Sequence, residues 1–199
     1  MGERMKFIVM GVGAIGSNLL VQLAKRFPDA EFEAHDHDRV EERNIKTQAY
    51  FLEHVGHPKV IAVKAVIQRF LRKPNFRYHF SKVEKKIEVP DENTLVLDCF
   101  DNVASRNLLI PSSHTLGRIS CNIIHLGFSP QYSAEFFWNK DYEVPGDVDA
   151  TQGDICSAQD AVPFIHLFVN LACLEIARWV DTREERNFIV TQKQTVRYL

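Results

Sequence analysis

Three glycines at the spacing G-x-G-x-x-G stand between a short apolar run and an amphipathic segment, at Gly11, Gly13 and Gly16. In such a motif the first glycine permits a tight turn, the second lets a phosphate approach the backbone, and the third lets the helix pack close to the strand. Free N–H groups at a helix start attract anions. The spacing therefore predicts a phosphate site, and the alternative is a glycine turn without a ligand.

An acidic residue follows at the distance expected for a nucleotide-binding fold. Asp36 lies 20 residues beyond Gly16, at the end of a second predicted strand. A carboxylate there can accept hydrogen bonds from both ribose hydroxyls. This pairing predicts a bound nucleotide and does not distinguish NAD from ATP.

Three later segments occur in an ordered pattern that one family shares. They are Asp38-Arg39-Val40-Glu41 with Asn44 and Gln48, then Gly56-His57-Pro58-Lys59, then Asp98-Cys99-Phe100-Asp101-Asn102 with Ser105-Arg106. Together with the glycine turn they resemble the ThiF/MoeB/HesA superfamily, whose pattern reads D-x-D-x-V, N-x-x-R-Q, G-x-x-K and D-C-x-D-N-x-x-x-R. The resemblance runs from about residue 7 to about residue 133, and it depends on the whole set.

The resemblance implies ATP- and magnesium-dependent adenylation of the C-terminal carboxylate of a ubiquitin-like protein or small peptide. By this resemblance Asp36 holds the ribose, Lys59 contacts the phosphates, and Asp101 binds magnesium or steers the carboxylate. Asn44 and Gln48 shape the triphosphate pocket. The implied nucleotide-binding set is completed by Gly11, Gly13, Ile15, Gly16, Asp38 and Asn102.

The chemistry requires cations, because attack of a carboxylate on an α-phosphate brings two anions together. The resemblance implies Lys59, itself a cation, and Asp101, through the magnesium it would bind, as catalytic side chains. Each also has a structural alternative: Lys59 as a solvated lysine at a helix start, and Asp101 as a helix N-cap.

Two departures from the family pattern bear on turnover. Thr47 stands where the family places a phosphate-contacting arginine, and a neutral hydroxyl cannot replace a bidentate cation. Lys46 or a partner subunit are the candidate substitutes. The sequence given has ten residues before Gly11, so we expect no N-terminal arginine finger of the kind many relatives carry. Loss of the arginine at position 47 is also what the non-catalytic halves of heterodimeric activating enzymes show.

Four cysteines, Cys99, Cys121, Cys156 and Cys173, lie far apart without a C-x-x-C pair, so we expect no zinc and no disulfide scaffold. Cys156 precedes the long final helix, about where ThiF-like proteins place a reactive cysteine, and a helix N-terminus favours a thiolate. Asp154 and Asp160 oppose this role, because nearby negative charge raises a thiol pKa. The other cysteines are better explained by packing.

His35 and His37 bracket Asp36. Strand alternation predicts that both rings lie on the face opposite Asp36, which argues against a shared metal site.

The elements that position these residues alternate between strand and helix, which predicts an α/β, Rossmann-like fold with a mostly parallel sheet, helices on both faces, and a C-terminal helix with antiparallel strands. We expect one domain over residues 1–199, with a flexible loop at 139–160 and the final helix and strand pair at 161–199. The predicted strands are 7–10, 31–35, 76–80, 94–97, 120–126 and 132–138. The predicted helices are 14–26, one after Pro58 that buries Phe70, 102–114, and 161–180, which buries Leu174.

Bulk composition narrows the function class. The formal net charge of -2 over 199 residues gives no electrostatic reason to expect nucleic acid. The longest uninterrupted apolar runs are far shorter than the roughly 20 residues of a membrane span, and no signal-peptide pattern is present. We therefore expect a cytoplasmic protein.

The resemblance favours an ATP-dependent adenylating enzyme acting on a ubiquitin-like or sulfur-carrier protein tail, and it implies a homodimer or a pairing with a related subunit. A non-catalytic module that binds nucleotide or a partner is the first alternative. An NAD-dependent oxidoreductase is the second, and it leaves Lys59 and the Asp101-Asn102 segment unexplained.

Overall fold

The computed structural model describes residues 4–85, 91–109, 122–129, 133–143, 161–191, 193 and 195–199. Within these residues eight strands form one sheet. The elements in chain order are β1 (Lys6–Met10), α1 (Ala14–Arg26), β2 (Glu31–Asp36), α2 (Lys59–Gln68), β3 (Asn75–Phe80), β4 (Thr94–Asp98), α3 (Val103–Arg106), β5 (Ile123–Ser129), β6 (Ser133–Trp138), α4 (Ala161–Thr182), β7 (Phe188–Val190) and β8 (Val196–Tyr198).

The strand order is β3-β2-β1-β4-β5-β6-β7-β8. The first five strands pair in parallel, and the pairs from β5 to β8 are antiparallel. The chain moves outward from β1 to β3 and then returns to the other side of β1, so the topological switch point lies between β1 and β4. In open α/β sheets this is where ligands bind, outside the carboxyl ends of the strands. The predicted fold class is confirmed.

Helix α1 forms where the sequence places apolar residues at helical spacing. Ile15, Leu19, Leu20 and Leu23 are all buried, and α1 ends at Arg26 before Pro28, which cannot continue a helix. Helices α1, α2 and α4 pack on one face of the sheet and share its larger apolar core.

The opposite face carries a smaller core. Ile8 and Met10 of β1 pack there with Val96, Leu109 and Ile123. The two clusters follow from strand alternation, because neighbouring residues of a strand point to opposite faces.

Two residues predicted to be buried are exposed. Helix α2 ends at Gln68, so Phe70 falls in the following turn, where its ring is exposed. Leu174 of α4 is 66% exposed, because the helix turns Phe168 and Ile176 toward the sheet instead. In both cases the helical pattern of apolar residues includes a residue that the rest of the described structure leaves exposed.

The helix predicted over 102–114 is short in the described part of the chain. Helix α3 has four residues, and the N–H groups of Leu108 and Leu109 then bond to carbonyls three residues back, at 3.1 and 3.0 Å. Such bonds form tight turns rather than a continuing α-helix. Residues 110–114 lie outside the described ranges.

The first residues of the loop predicted over 139–160 have regular structure. Asn139–Asp141 form a short 3-10 helix directly after β6. The remainder from residue 144 is not among the described residues.

Helix α4 is long and apolar enough to cross a membrane by length and composition alone, although its sequence lacks an uninterrupted apolar run of that length. Half of that stretch is buried inside the protein. This is the arrangement of a core helix, so the helix is weak evidence for a membrane.

Candidate functional site

The carboxyl ends of β1, β2 and β4 meet at the switch point. The Gly11 N–H donates to the carbonyl of His35 at 2.9 Å, and the Cys99 N–H donates to the carbonyl of Met10 at 2.8 Å. These bonds bring the glycine turn between the segments that carry Asp36 and Asp101.

The three glycines have different surroundings. Gly11 has φ +86°, a conformation that favours glycine. A Cβ at Gly16 would lie 2.0 Å from the carbonyl oxygen of Gly11, so helix and turn touch there. A Cβ at Gly13 would meet no atom of the described residues within 4 Å. The open space is therefore at the middle glycine.

The start of α1 faces this space. Gly13 is its N-cap residue, no side chain of the described residues caps it, and its first turn carries no acidic residue. The first N–H groups of a helix have no partner inside the helix. Together with the helix dipole they can receive an anionic group.

Asp36 is fixed by the backbone at the end of β2. Its side chain is buried, and its two oxygens accept hydrogen bonds from the N–H groups of Val12 at 2.8 Å and Asp38 at 2.7 Å. A carboxylate oxygen has more than one lone-pair site. Asp36 can therefore accept hydroxyl groups while it keeps both backbone bonds.

Lys59 is held rather than solvated. Its ammonium lies 2.9 Å from the Asp38 carboxylate, and its side chain is 9% exposed. Burial acts to raise the pKa of Asp38, but the hydrogen bond and charge of Lys59 lower it below its ordinary value. The alternative of a freely solvated lysine is wrong, and the fold holds the Lys59 cation beside Asp38, two residues beyond Asp36.

The segment after residue 46 is fastened to the glycine turn and α1. The Ala49 N–H donates to Ser17 Oγ at 3.0 Å, Asn18 Nδ2 donates to the Thr47 carbonyl at 2.9 Å, and the Tyr50 hydroxyl donates to the Val12 carbonyl at 2.6 Å. These bonds span 29 to 38 residues of sequence. The segment thus forms one wall beside the turn.

Two amides predicted to contact the triphosphate differ in their surroundings. Asn44 Oδ1 accepts the Glu41 N–H at 2.8 Å and caps a short 3-10 helix. Gln48 Oε1 is buried without a hydrogen-bond partner among the described residues. A buried polar atom without a partner is unfavourable, so Gln48 is the amide that has an unmet bonding requirement.

Asp101 and Asn102 also separate into two roles. Asn102 caps α3 by accepting the Ser105 N–H at 2.9 Å, so the capping role considered for Asp101 belongs to its neighbour. Asp101 is exposed, and its carboxylate accepts a 3.3 Å contact from Asn102 Nδ2. It remains at the carboxyl end of β4 as an accessible hard-oxygen ligand.

A buried polar network on the β4–β5 side was missed by sequence reasoning. Asp98 Oδ2 lies 2.7 Å from His125 Nδ1, and Asn139 Oδ1 lies 2.8 Å from His125 Nε2. The Tyr142 ring stacks on His125 with centroids 3.9 Å apart. Asp98 and His125 side chains are 0% exposed.

Arg106 completes this network. Its guanidinium donates to the Leu126 carbonyl and the Tyr142 hydroxyl, each at 2.9 Å, and lies 3.6 Å from Asp98. Gly127 leaves room for it, since a Cβ there would lie 2.8 Å from a guanidinium nitrogen. Asp98 and Arg106 stand in the family pattern, whereas His125 and Tyr142 carry no local signal because their partners are distant in sequence.

The described cysteines are not activated. Burial raises the pKa of the Cys99 thiol well above its ordinary value, and burial also raises that of Cys173. Both thiols are therefore protonated at neutral pH. Cys156, the predicted nucleophile, and Cys121 lie outside the described residues.

The predicted position of His37 is wrong. Strand β2 ends at Asp36, so alternation no longer applies to the next residue, and one ligand atom each of Asp36, His37 and Asp38 lie within 4.8 Å of one another. Asp36 and Asp38 are already engaged by backbone N–H groups and Lys59. Protein donors therefore occupy this cluster.

Comparison with known proteins gives one family and one fold. The model of the ThiF family matches residues 3–196. No curated protein matches the chain.

Among solved structures, PaaA superposes with a TM-score of 0.69 at 19% identity, covering 98% of this chain and 63% of that one. Escherichia coli MccB solved with ATP gives 0.70 at 14% identity, and MccB with MccA gives 0.72 at 14%, each covering 98% of this chain and 63% of theirs. The chain thus spans less than two thirds of these proteins. At these identities the likeness shows a shared fold.

Proposed function

The chain belongs to the ThiF family, and we propose that it binds ATP at the carboxyl ends of β1, β2 and β4 and adenylates a carboxylate. The proposed acceptor is the C-terminal carboxylate of a ubiquitin-like protein, a sulfur carrier or a peptide. Family membership supports the reaction class, and it does not identify which of these acceptors is used.

The observation that carries this proposal is the open space at Gly13 between two filled positions. Gly11 and Gly16 are required by the turn and by packing, whereas a Cβ at Gly13 would touch no atom of the described part of the chain. Packing does not explain this glycine, and close approach of a ligand to the backbone does. The unpaired Gln48 Oε1 in the adjoining wall supports a bound group with hydrogen-bond donors, such as a nucleotide.

In the proposed reaction an oxygen of the carboxylate attacks the α-phosphorus of ATP and forms a new oxygen–phosphorus bond. The bond between the α-phosphorus and the oxygen that bridges to the β-phosphate breaks, and pyrophosphate leaves. Asp36 orients the ribose, and the helix start at Gly13 holds phosphate oxygens. Lys59 neutralises part of the phosphate charge after exchanging some of its contact with Asp38. Preorganised cations of this kind stabilise the charge that develops in phosphoryl transfer.

Magnesium fits the donor set available at Asp101. An exposed carboxylate offers the oxygen ligand that Mg²⁺ prefers, and Mg²⁺ is commonly held by one or two carboxylates together with substrate phosphates. When bound, the ion would neutralise phosphate charge. Asp101 would hold it near the carboxyl end of β4.

A second candidate is a nucleotide-binding module without turnover. Thr47 is 5% exposed, its carbonyl is bonded to Asn18, and it carries no charge. The family arginine thus has no cationic equivalent at this position. A related subunit that supplies a cation would restore turnover in a heterodimer, and a homodimer would have to supply it from Lys46 or elsewhere.

The first experiment is calorimetric titration with ATP and magnesium, followed by pyrophosphate exchange in the presence of candidate carriers. Wild type is compared with Asp36→Ala and Asp101→Ala, and with Asp29→Ala as an exposed control at the opposite edge of the sheet. We expect Asp36→Ala to lose binding and Asp29→Ala to retain it.

Exchange by the wild type would establish the adenylating enzyme. ATP binding without exchange across many carriers would establish the non-catalytic module. Equal ATP binding by wild type and Asp36→Ala would overturn the site. NADH fluorescence is expected not to change on addition of protein, and a change would favour the oxidoreductase.

The segment 139–160 is the proposed determinant of carrier choice. Exchanging residues 144–160 for those of a relative is expected to alter carrier preference at unchanged ATP affinity. Equal loss of both would contradict this assignment.

A further inference from the structure

A second cluster of polar side chains lies on the sheet face that α1 and α2 do not cover. In the parallel register, His35 of β2 pairs with His79 of β3, and Glu33 precedes His35 by two residues on the same face. Ile8 and Met10, the β1 partners of Glu33 and His35, belong to the smaller core of this face. The cluster is therefore separated by the sheet from the α1 and α2 side of the nucleotide site.

Donor atoms of the three side chains converge on one point. Glu33 Oε1 lies 2.9 Å from His35 Nε2 and 3.3 Å from His79 Nε2. One ligand atom from each residue lies within 4.8 Å of the other two. The imidazole rings are stacked, with centroids 4.3 Å apart and planes inclined by 13°.

We propose that Glu33, His35 and His79 bind a divalent transition-metal ion of the zinc class, with water completing the coordination. Two imidazoles and one carboxylate are a ligand set found in zinc and iron proteins. Metal–ligand bonds of about 2.1 Å in a tetrahedron place neighbouring ligand atoms about 3.4 Å apart. The His79–Glu33 separation of 3.3 Å is already close to that value, and the His35–Glu33 separation of 2.9 Å is shorter than it.

The surroundings supply orientation and access. Lys6 Nζ lies 2.7 Å from Glu33 Oε2, which fixes the carboxylate and leaves Oε1 facing the histidines. Outer partners of this kind orient metal ligands. The charge of Lys6 is also opposed by Glu31 at 3.7 Å, and the His79 side chain is 49% exposed, so an ion can enter from solvent.

Binding requires one local movement. Each imidazole lone pair lies in the plane of its own ring, and the two stacked rings occupy separate, nearly parallel planes, so one ring must tilt for both to reach a single ion. His79 is the ring that can tilt, because it is the more exposed and lies on the edge strand of the sheet.

The proposed ion is distinct from the magnesium of the nucleotide site. Mg²⁺ prefers oxygen ligands, whereas imidazole suits zinc, copper, nickel and iron. The absence of C-x-x-C pairs argues against a cysteine-bound structural zinc, and this site uses no cysteine.

The test is calorimetric titration of the chelator-treated protein with Zn²⁺, without nucleotide. Wild type is expected to bind one equivalent at this site, and His79→Gln and Glu33→Gln are each expected to bind at least tenfold more weakly. His37→Gln, which removes an exposed histidine two residues from His35, is expected to bind as wild type does. Melting temperatures without metal show that each variant is folded.

Titration with Co²⁺ identifies the ligands by absorption. We expect ligand-field bands without a thiolate charge-transfer band, and loss of those bands in His79→Gln. Equal affinity in wild type and His79→Gln, or a thiolate band that accounts for the bound ion, would overturn the proposal. Asp36→Ala is expected to retain the metal, so failure of the ATP site and failure of this site are separate results.

Discussion

The two sides of the crevice are built from the same kinds of residue in different states. On the β1–β2 side, Asp36 and Lys59 are fixed by protein contacts near the glycine turn, which has open space at Gly13. On the β4–β5 side, Asp98 and His125 are fully buried and bonded to each other. The first arrangement suits binding of a ligand. The second suits holding the neighbouring strands β4 and β5 together.

This difference shows that a charged side chain at the end of a strand is not by itself evidence of ligand binding. What separates the two sides is whether a side chain keeps bonding capacity toward open space. Asp101 shows the same distinction on a small scale, because it is exposed three residues after the buried Asp98.

The largest expected effect comes from breaking the buried side. Asp98→Ala leaves Arg106 and His125 without their carboxylate, and removal of one partner of a buried ion pair destabilises a protein by about 3–5 kcal/mol. Urea unfolding followed by circular dichroism measures this. Asp101→Ala, at the same strand end but exposed, is expected to change stability by less than about 0.5 kcal/mol. Similar losses in both variants would remove the contrast between the two sides.

The second effect separates packing from binding within the glycine turn. Gly16→Ala places a methyl group against the Gly11 carbonyl, and overpacking of this kind costs about 1–3 kcal/mol. Gly13→Ala is expected to cost less than about 1 kcal/mol of stability, because Ala is a poorer N-cap than Gly, and to lower ATP affinity about tenfold, equivalent to about 1.4 kcal/mol. Thermal unfolding and ATP calorimetry on the same pair of variants check both statements. Unchanged ATP affinity in a folded Gly13→Ala protein would contradict phosphate binding at this turn.

A third effect tests whether Lys59 serves the ligand as well as Asp38. Lys59→Met is expected to lower ATP affinity about tenfold, or about 1.4 kcal/mol, because a fixed cation is removed. The pKa of Asp38 should rise toward its ordinary value, since Lys59 lowers it. Lys64→Met, on the same helix, is the control. An Asp38 pKa that does not move, measured by NMR titration, would show that the pair is not maintained in solution.

The smallest effect concerns pH and the β2 strand. Burial lowers the pKa of His35, and its hydrogen bond with Glu33 offsets only part of this. Below pH about 6.5 the unfolded chain binds a proton that folded His35 takes up less readily, so stability falls as pH falls from that value. His35→Gln should lose less stability than wild type between pH 7 and pH 5. His166→Gln, an exposed histidine of α4, should keep the wild-type slope, and identical slopes in all three proteins would exclude His35 as the source.

Local patterns were sufficient for the parts of the site that local geometry builds. The glycine turn, α1 and the acidic end of β2 could be predicted because each follows from spacing within about 25 residues. Strands β1 and β4 also stood out as short apolar runs between turns. The ends of elements were less accurate, since the last residues of a helix depend on what packs against them, as Phe70 shows.

The buried network could not be predicted, because its partners are remote in sequence. His125 and Asp98 are 27 residues apart, and Tyr142 is 36 residues from Arg106. Only the placement of β4 beside β5 brings them together. His37 was misplaced for a related reason, since strand alternation holds only while the strand continues.

The two backbone hydrogen bonds to Asp36 lower the entropy cost of binding a nucleotide. A flexible carboxylate side chain loses rotational freedom when it accepts hydrogen bonds from ribose hydroxyls. Ordering a flexible side chain on binding costs about 0.5–1.5 kcal/mol. Asp36 has already lost that freedom when the chain folds, because Val12 and Asp38 hold both oxygens. The ribose pocket would thus be a rigid receptor, and adjustment on binding would fall to Lys59 and Gln48.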